Sequence, residues 1–301
     1  MSRPSQKADT ELKERVRAFW QQHPCGTKFS DVEQGSPEFF ARIEAHRYAK
    51  EWHIPAAADF AGARGLRVLE IGCGIGTDGA QFSEAGADYT GVDLTEAAIE
   101  LARNNLKTRD LRGEFRVADA ENLDFPDESF DLVYSHGVLH HTPDIVAAVG
   151  EVHRVLKPGG RAIVMLYHRG SYNYRIGIRI LRRAGASLLK SESGIRLVHV
   201  LTAEPESSLQ EHAAALRASR NGHFSAAELL NQSTDGAGNP LARVYSRRDA
   251  RELFKAFRKL ELRTYFLNKR FIPIIGNLLP RPIESALASR WGWHLWIYAT
   301  K

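Results

Sequence analysis

Cysteine is scarce in this chain of 301 residues: Cys25 and Cys73 are the only two. Two cysteines cannot form a disulfide framework, and their spacing matches no metal-ligand pattern. No stretch reaches the roughly 18 uninterrupted apolar residues of a spanning helix. The opening MSRPSQKADTELKERVRAFW has no apolar signal core. A cytoplasmic chain is the expectation. Internal repeats and low-complexity tracts are missing as well. Neither sign of charge dominates: Lys and Arg total 41 against 36 Asp and Glu, for a net charge of +5. So small a surplus is common on soluble enzymes and points only weakly to nucleic acid or a membrane. Hydrophobic residues at 43% and charged residues at 26% are ordinary globular values. They exclude a disordered, collagenous or polytopic membrane protein. The length fits two domains or one large α/β domain with an insertion.

Residues 1–60 read as a helical cap, with a Pro/Gly break at His23-Pro24-Cys25-Gly26. From residue 66 short β-rich runs alternate with helical stretches, which is the pattern of a parallel sheet with covering helices. Strands are expected at Arg67–Ile71, Tyr89–Val92, Phe115–Val117, Phe130–Ser135 and Ala162–Leu166. Helices are expected near 77–85 and 95–107, with a third opened by Thr142-Pro143-Asp144, where Thr142 reads as the capping hydroxyl. Pro158-Gly159-Gly160 should end that helix. The pattern then breaks until a helix near 247–258. Strands near 260–267 and 293–299 bracket a loop-rich piece from Pro273 to Arg290 and should pair with each other. The expected division is a cap at 1–60, a core at 61–167, an inserted lid at 168–245 and a C-terminal part of the core sheet at 246–301.

Ligands of an open α/β sheet bind beyond the carboxyl ends of its strands. The segments just past those ends are Gly72–Gly79, Asp93-Leu94, Asp119-Ala120, Ser135–His141 and Tyr167-His168. Gly72, Gly74 and Gly76 allow a sharp turn lying close to a ligand, with a helix N-terminus beside it. Such turns also serve simply as connections. Gly74 to Gly79 matches G-x-G-x-x-G literally, so a dinucleotide fold stays open. Asp93 can accept both hydroxyls of a ribose or cap a turn; Asp119 can take an adenine amino group.

The combination says more than its members. Glu70-x-Gly72-x-Gly74-x-Gly76, then Asp93, Asp119-Ala120, Asp127-x-x-Phe130-Asp131-Leu132-Val133, Leu139-His140-His141 and Leu156-Lys157-Pro158-Gly159-Gly160 resemble the class I S-adenosylmethionine-dependent methyltransferases. Within them the likeness is to the bacterial branch of ubiquinone and menaquinone C-methyltransferases. It is strong from about 66 to 168 and weak outside. It implies a Rossmann-like α/β fold, a seven-stranded mixed sheet with helices on both faces and one antiparallel strand. It also implies S-adenosyl-L-methionine as cofactor, with the Glu70, Gly72, Cys73, Gly74 and Gly76 loop at the methionine part. Asp93 and Leu94 would hold the ribose, Asp119 and Ala120 the adenine, and Ser135 and His136 would border the methionine end. A sulfonium methyl leaves by in-line displacement, so no triad or metal is required.

His140, His141 and Tyr167 are the candidate catalytic residues. A histidine base could deprotonate an acceptor, although the pair could equally shape a wall. Tyr167, His168, Tyr172 and Tyr174 open the insertion and can stack on a planar substrate or pack the lid. Arg175, Arg179, Arg182 and Arg183 would lie along one helix face, with Ile178, Leu181, Leu188 and Leu189 as apolar area. That face suits an anionic membrane, joined by Phe271–Ile275, or a solvated lid. The expected partner is a small-molecule acceptor, membrane-borne or soluble, and not nucleic acid. Non-catalytic cofactor binding and a nicotinamide-dependent oxidoreductase are the alternatives.

Overall fold

The computed structural model describes residues 6–202, 205–219, 224–236, 238–268 and 279–301. Seven strands, β1 (Arg67–Ile71), β2 (Asp88–Asp93), β3 (Glu114–Val117), β4 (Phe130–His136), β5 (Leu156–Tyr167), β6 (Lys259–Tyr265) and β7 (His294–Thr300), form one sheet in the order β3-β2-β1-β4-β5-β7-β6. β1 to β5 pair in parallel, whereas β7 runs antiparallel to both β5 and β6. The mixed seven-stranded sheet expected from the resemblance is present, and the last two strands pair as read from their spacing.

Alternation along the central strands explains the two covered faces. Val68, Leu132, Tyr134, Ile163 and Met165 join one cluster with Ala80 and Phe82 of helix α4 (Thr77–Glu84) and Ile99, Ala102 and Leu106 of α5 (Glu96–Thr108). Leu69, Ile71, Val133, Ala162, Val164 and Leu166 join the other, with Val149 and Val152 of α6 (Ile145–Val155). Each fully buried aliphatic side chain contributes roughly 1.5–3 kcal/mol. A one-residue slip would send each set to the wrong face. Asp131 accepts from Arg67 N at 2.9 Å and Lys157 Nζ at 2.7 Å. The Lys157-Pro158-Gly159-Gly160 signature therefore locks β1, β4 and β5 at their amino ends, away from the ligand edge.

Helices α1 (Gln6–Gln22), α2 (Pro37–Lys50) and α3 (Ile54–Ala58) precede the sheet. The insertion, which carried no clear periodicity, is helical. It comprises a π-helical stretch Asn173–Arg182, then α7 (Arg183–Leu188), α8 (Glu192–Thr202), α9 (Glu206–Ala218) and α10 (Ala226–Ser233). α11 (Arg247–Leu253) precedes β6, and α12 (Arg281–Trp291) precedes β7.

Three local expectations need correction. The loop-rich reading of Pro273–Arg290 fails over α12, and residues 269–278, including Phe271–Ile275, lie outside the described residues. The four arginines of the basic stretch do not share a face: Arg182 lines the cleft, whereas Arg175, Arg179 and Arg183 are exposed. A π-helix advances more residues per turn than the α-helix assumed in the sequence pattern. The cap of α6 is Asp144, whose carboxylate accepts from Val146 N and Ala147 N, both at 3.0 Å; Thr142 donates to Glu121 instead. Asp144→Ala should accordingly cost about 1 kcal/mol. Urea denaturation checks this, and Thr142→Val should leave the α6 cap intact, as read from the amide-exchange protection of Val146 and Ala147.

Candidate functional site

A cleft of about 850 Å³ opens where β1, β2 and β4 end. The glycine loop forms its floor. Gly72 has φ of 76°, and a Cβ there would come within 2.2 Å of Val138 Cγ2, so only glycine fits. Gly76, also at φ 76°, packs against Ala102 of α5 and does not line the cleft. Its freedom serves the turn into α4. Gly79 likewise leaves room for the Tyr89 ring, whose hydroxyl donates to Glu70 Oε2 at 2.6 Å. Burial, and then Asp78, push the Glu70 carboxyl well above its usual range.

Asp93 lies on the cleft with its acceptors engaged. One oxygen accepts from Gly74 N at 3.1 Å, the other from Thr95 N at 3.0 Å and Thr95 Oγ1 at 2.9 Å. Burial pushes its carboxyl up against these donors. Asp119 accepts from Glu121 N at 2.9 Å through one oxygen and from Lys13 Nζ at 2.6 Å through the other; Lys13 also reaches Glu121 at 2.5 Å. A lysine of α1 thus crosses to the strand-end acids. Neither Lys13 nor Glu121 was singled out by the sequence reading, since their pairing spans more than a hundred residues.

Leu94, Ala120, Cys73, His136, His141 and Tyr167 also line the cleft, as does the His23–Thr27 turn. Burial pushes the Cys73 thiol well above its usual range, in line with an unreactive thiol. Besides Gly76, two expected site residues do not line it. Ser135 is fully buried and donates to Ile71 O at 2.9 Å, tying β4 to β1. His140 is fully buried beneath Tyr167, ring centroids 3.8 Å apart, so it is placed for packing rather than for access to an acceptor. For Ser135 this reflects side-chain alternation along β4, which points neighbours to opposite sides; His140 is turned inward by the helical turn Leu139–His141 that follows the strand.

Tyr167 stacks on Trp293 at 4.4 Å and donates to both oxygens of Asp235 at 3.0 Å. Burial and the Asp235 charge push its phenol well above its ordinary value, so it acts as a donor. His141 Nδ1 bonds Leu241 O, and its Nε2 lies 3.3 Å from Asp235 Oδ2. Asp235 comes from the insertion, and no sequence pattern marks it.

Asp78 ties the cap to the core. It accepts from Arg47 Nε at 3.0 Å and Nη2 at 2.6 Å, Tyr48 Oη at 2.9 Å and Tyr134 Oη at 2.9 Å. Arg47 and Tyr48 belong to α2, Tyr134 to β4, and Asp78 to the first turn of α4, where an acid reads merely as complementing the helix dipole.

Comparison with known proteins adds to this geometry. A methyltransferase domain model matches residues 69–164. Phthiotriol/phenolphthiotriol dimycocerosates methyltransferase of Mycobacterium leprae is 34% identical over 165 residues, 50% of this chain and 60% of that protein. Ubiquinone biosynthesis O-methyltransferase of Alkalilimnicola ehrlichii is 34% identical over 118 residues, 39% of this chain and 48% of that protein. Demethylmenaquinone methyltransferase of Clavibacter sepedonicus is 35% identical over 113 residues, 38% of this chain and 46% of that protein. The chain spans about half the length of these curated relatives. Magnesium protoporphyrin IX methyltransferase of Synechocystis, solved with bound S-adenosylhomocysteine, shares the fold at a TM-score of 0.52 and 13% identity, covering 96% of this chain and 99% of that one. A structure from Thermotoga maritima described as a possible histamine N-methyltransferase does so at 0.51 and 17%, covering 95% and 99%. Residues 69–164 thus match a methyltransferase domain, within a fold that those two solved structures share.

Two outcomes test the site's architecture. Asp78→Ala strands the Arg47 guanidinium and should cost about 3 kcal/mol, with Asp78→Asn costing less; urea denaturation reads both. Burial also pushes His53, His136, His140 and His294 down, His53 and His294 to about 3. The unfolded chain takes up these protons near pH 6.5 while the fold does not, so stability rises with pH below that point. It should fall by up to about 1.4 kcal/mol per pH unit for each histidine as pH drops from about 6.5 toward 5. A flat stability profile across that window would contradict the buried neutral histidines.

Proposed function

We propose that the protein transfers a methyl group from S-adenosylmethionine to a small or lipid-like acceptor in the cytoplasm. The observation that carries this reading is the line of Gly72–Gly74, Asp93 and Asp119 along one wall of the cleft, faced by residues of the cap and the insertion. The donor set suits the cofactor. Asp93 can accept ribose hydroxyls, Asp119 and Ala120 border the place for an adenine edge, and the tight Gly72 turn lets the backbone approach. When bound, the cofactor supplies an electrophilic methyl on sulfur. The chain's own contribution is to align the acceptor and exclude water.

On the acceptor side, the Leu241 carbonyl can only accept, so the His141 Nδ1 donates to it and the basic nitrogen is Nε2, 3.3 Å from Asp235 Oδ2. His141 is therefore placed to take a proton from an acceptor, with Tyr167 fixing Asp235 beside it. This assigns the base role to His141 rather than to His140.

S-Adenosylmethionine and its demethylated product should bind in calorimetry, with no comparable binding of NAD. Asp93→Ala removes a charged acceptor worth about 1.5–3 kcal/mol, so affinity should fall roughly 10- to 150-fold in a folded variant. Preference for NAD would overturn the reading. Methyl-labelled cofactor incubated with small-molecule and lipid extracts should leave label in one of the two fractions; label in neither leaves binding without transfer.

A further inference from the structure

At the end of the cleft bounded by α2 and β7, three side chains converge: a carboxylate oxygen of Glu51 and a ring nitrogen each of His136 and His294 lie within 4.8 Å of one another. The distance alone would admit a metal ion, but the chemistry of the ring does not. Arg47 Nη2 lies 3.2 Å from His136 Nδ1, and a guanidinium can only donate. His136 Nδ1 therefore accepts, and a neutral ring carries its proton on Nε2. A metal at Nε2 would need that proton removed from a ring already using its other lone pair, beside a fixed cation. Burial, with Arg47 next, holds His136 neutral.

A matched pair remains. His136 Nε2 is a buried donor without a partner, and Glu51 Oε2 is a buried acceptor without a partner. Leaving either unsatisfied is costly in a buried position, so the pair is poised for a group that satisfies both. The His136 ring cannot swing away: Arg47 holds its other nitrogen, and it packs against Trp296 at 5.2 Å and His294 at 5.4 Å. His294 in turn faces His53 Nε2 at 3.3 Å. Phe266 and Trp293 line the same cleft and give the ligand an apolar aromatic surround.

We infer that Glu51 and His136 form a recognition site for a hydroxyl group of an aromatic acceptor: the hydroxyl accepts from His136 Nε2 and donates to Glu51 Oε2. A hydroxyl does both at once, whereas an ether oxygen, which only accepts, leaves Glu51 unpaired. Glu51 is then the specificity determinant, and His136 the anchor. The inference rests on the methyltransferase reading for what the bound molecule is, though not for how it is held.

The test uses the full chain saturated with S-adenosylhomocysteine and two probes of like shape, 2-naphthol and 2-methoxynaphthalene, titrated by ligand-observed NMR. 2-Naphthol should bind about tenfold or more tightly than the ether, the effect of a hydrogen bond to a charged acceptor. Glu51→Leu should erase that preference while leaving S-adenosylhomocysteine affinity as in the parent, and His136→Phe should weaken both probes alike, since each accepts from Nε2. Equal binding of the two probes by the parent protein, or binding of neither, would overturn the inference, as would a preference that survives Glu51→Leu or probe affinities that His136→Phe leaves unchanged. Stoichiometric Zn²⁺ binding lost in His136→Phe would overturn it in favour of a metal site. Discrimination between the probes in a protein that fails to bind S-adenosylhomocysteine would support the hydroxyl site and tell against the methyltransferase reading alone.

Discussion

The buried carboxylate of Asp78 is the interaction on which the cleft depends. Its two oxygens take four hydrogen bonds from three donor side chains, on α2 and β4, while the residue itself sits in the first turn of α4. An isolated carboxylate in that position would be too costly to keep. With Arg47 and two phenols it becomes a joint that fixes the N-terminal cap against the sheet. The joint also orders its surroundings. Arg47, once held, uses its Nη2 on His136 Nδ1, which sets the proton of that imidazole on Nε2.

A second joint works at the opposite side. Lys13 of α1 crosses to Asp119 and Glu121, and Glu121 in turn receives the Asp144 N–H. The cap is therefore held at two places around one cleft, by Asp78 under α2 and by Asp119 with Glu121 under α1. The insertion closes the remaining side through Asp235, which Tyr167 and His141 reach from the core. Each wall meets the sheet through a carboxylate that is engaged by donors from another part of the chain.

Core strands and their order of use were readable because burial on both faces forces near-continuous apolar runs, and the turns between them need glycine or aspartate at fixed places. Gly72, Asp93 and Asp119 stood out for that reason. Leu139-His140-His141 was legible as a motif but not as a division of labour. Which histidine faces the cleft depends on the strand-end turn and on Leu241, a residue a hundred positions away. Ser135 looked like a cofactor contact because it comes at a strand end; in the fold its hydroxyl is spent on Ile71 O.

The sequence by itself determined the parallel core, the glycine turn and the strand-end acids, since these arise from local backbone needs and from periodic burial. Tertiary structure alone decided the partners of those groups. Lys13 with Asp119, Arg47 with Asp78, and His141 with Asp235 each join residues separated by tens of positions or more, and pairs of that kind leave no periodic trace. The insertion shows the same limit most fully. Its helices α8 and α9 pack around a small cluster of Leu189, Ile195, Leu209 and Ala213, too few residues to imprint a long apolar stripe, while Ile178, Leu229 and Leu230 join the main core, so Asp235 could be placed only by the fold.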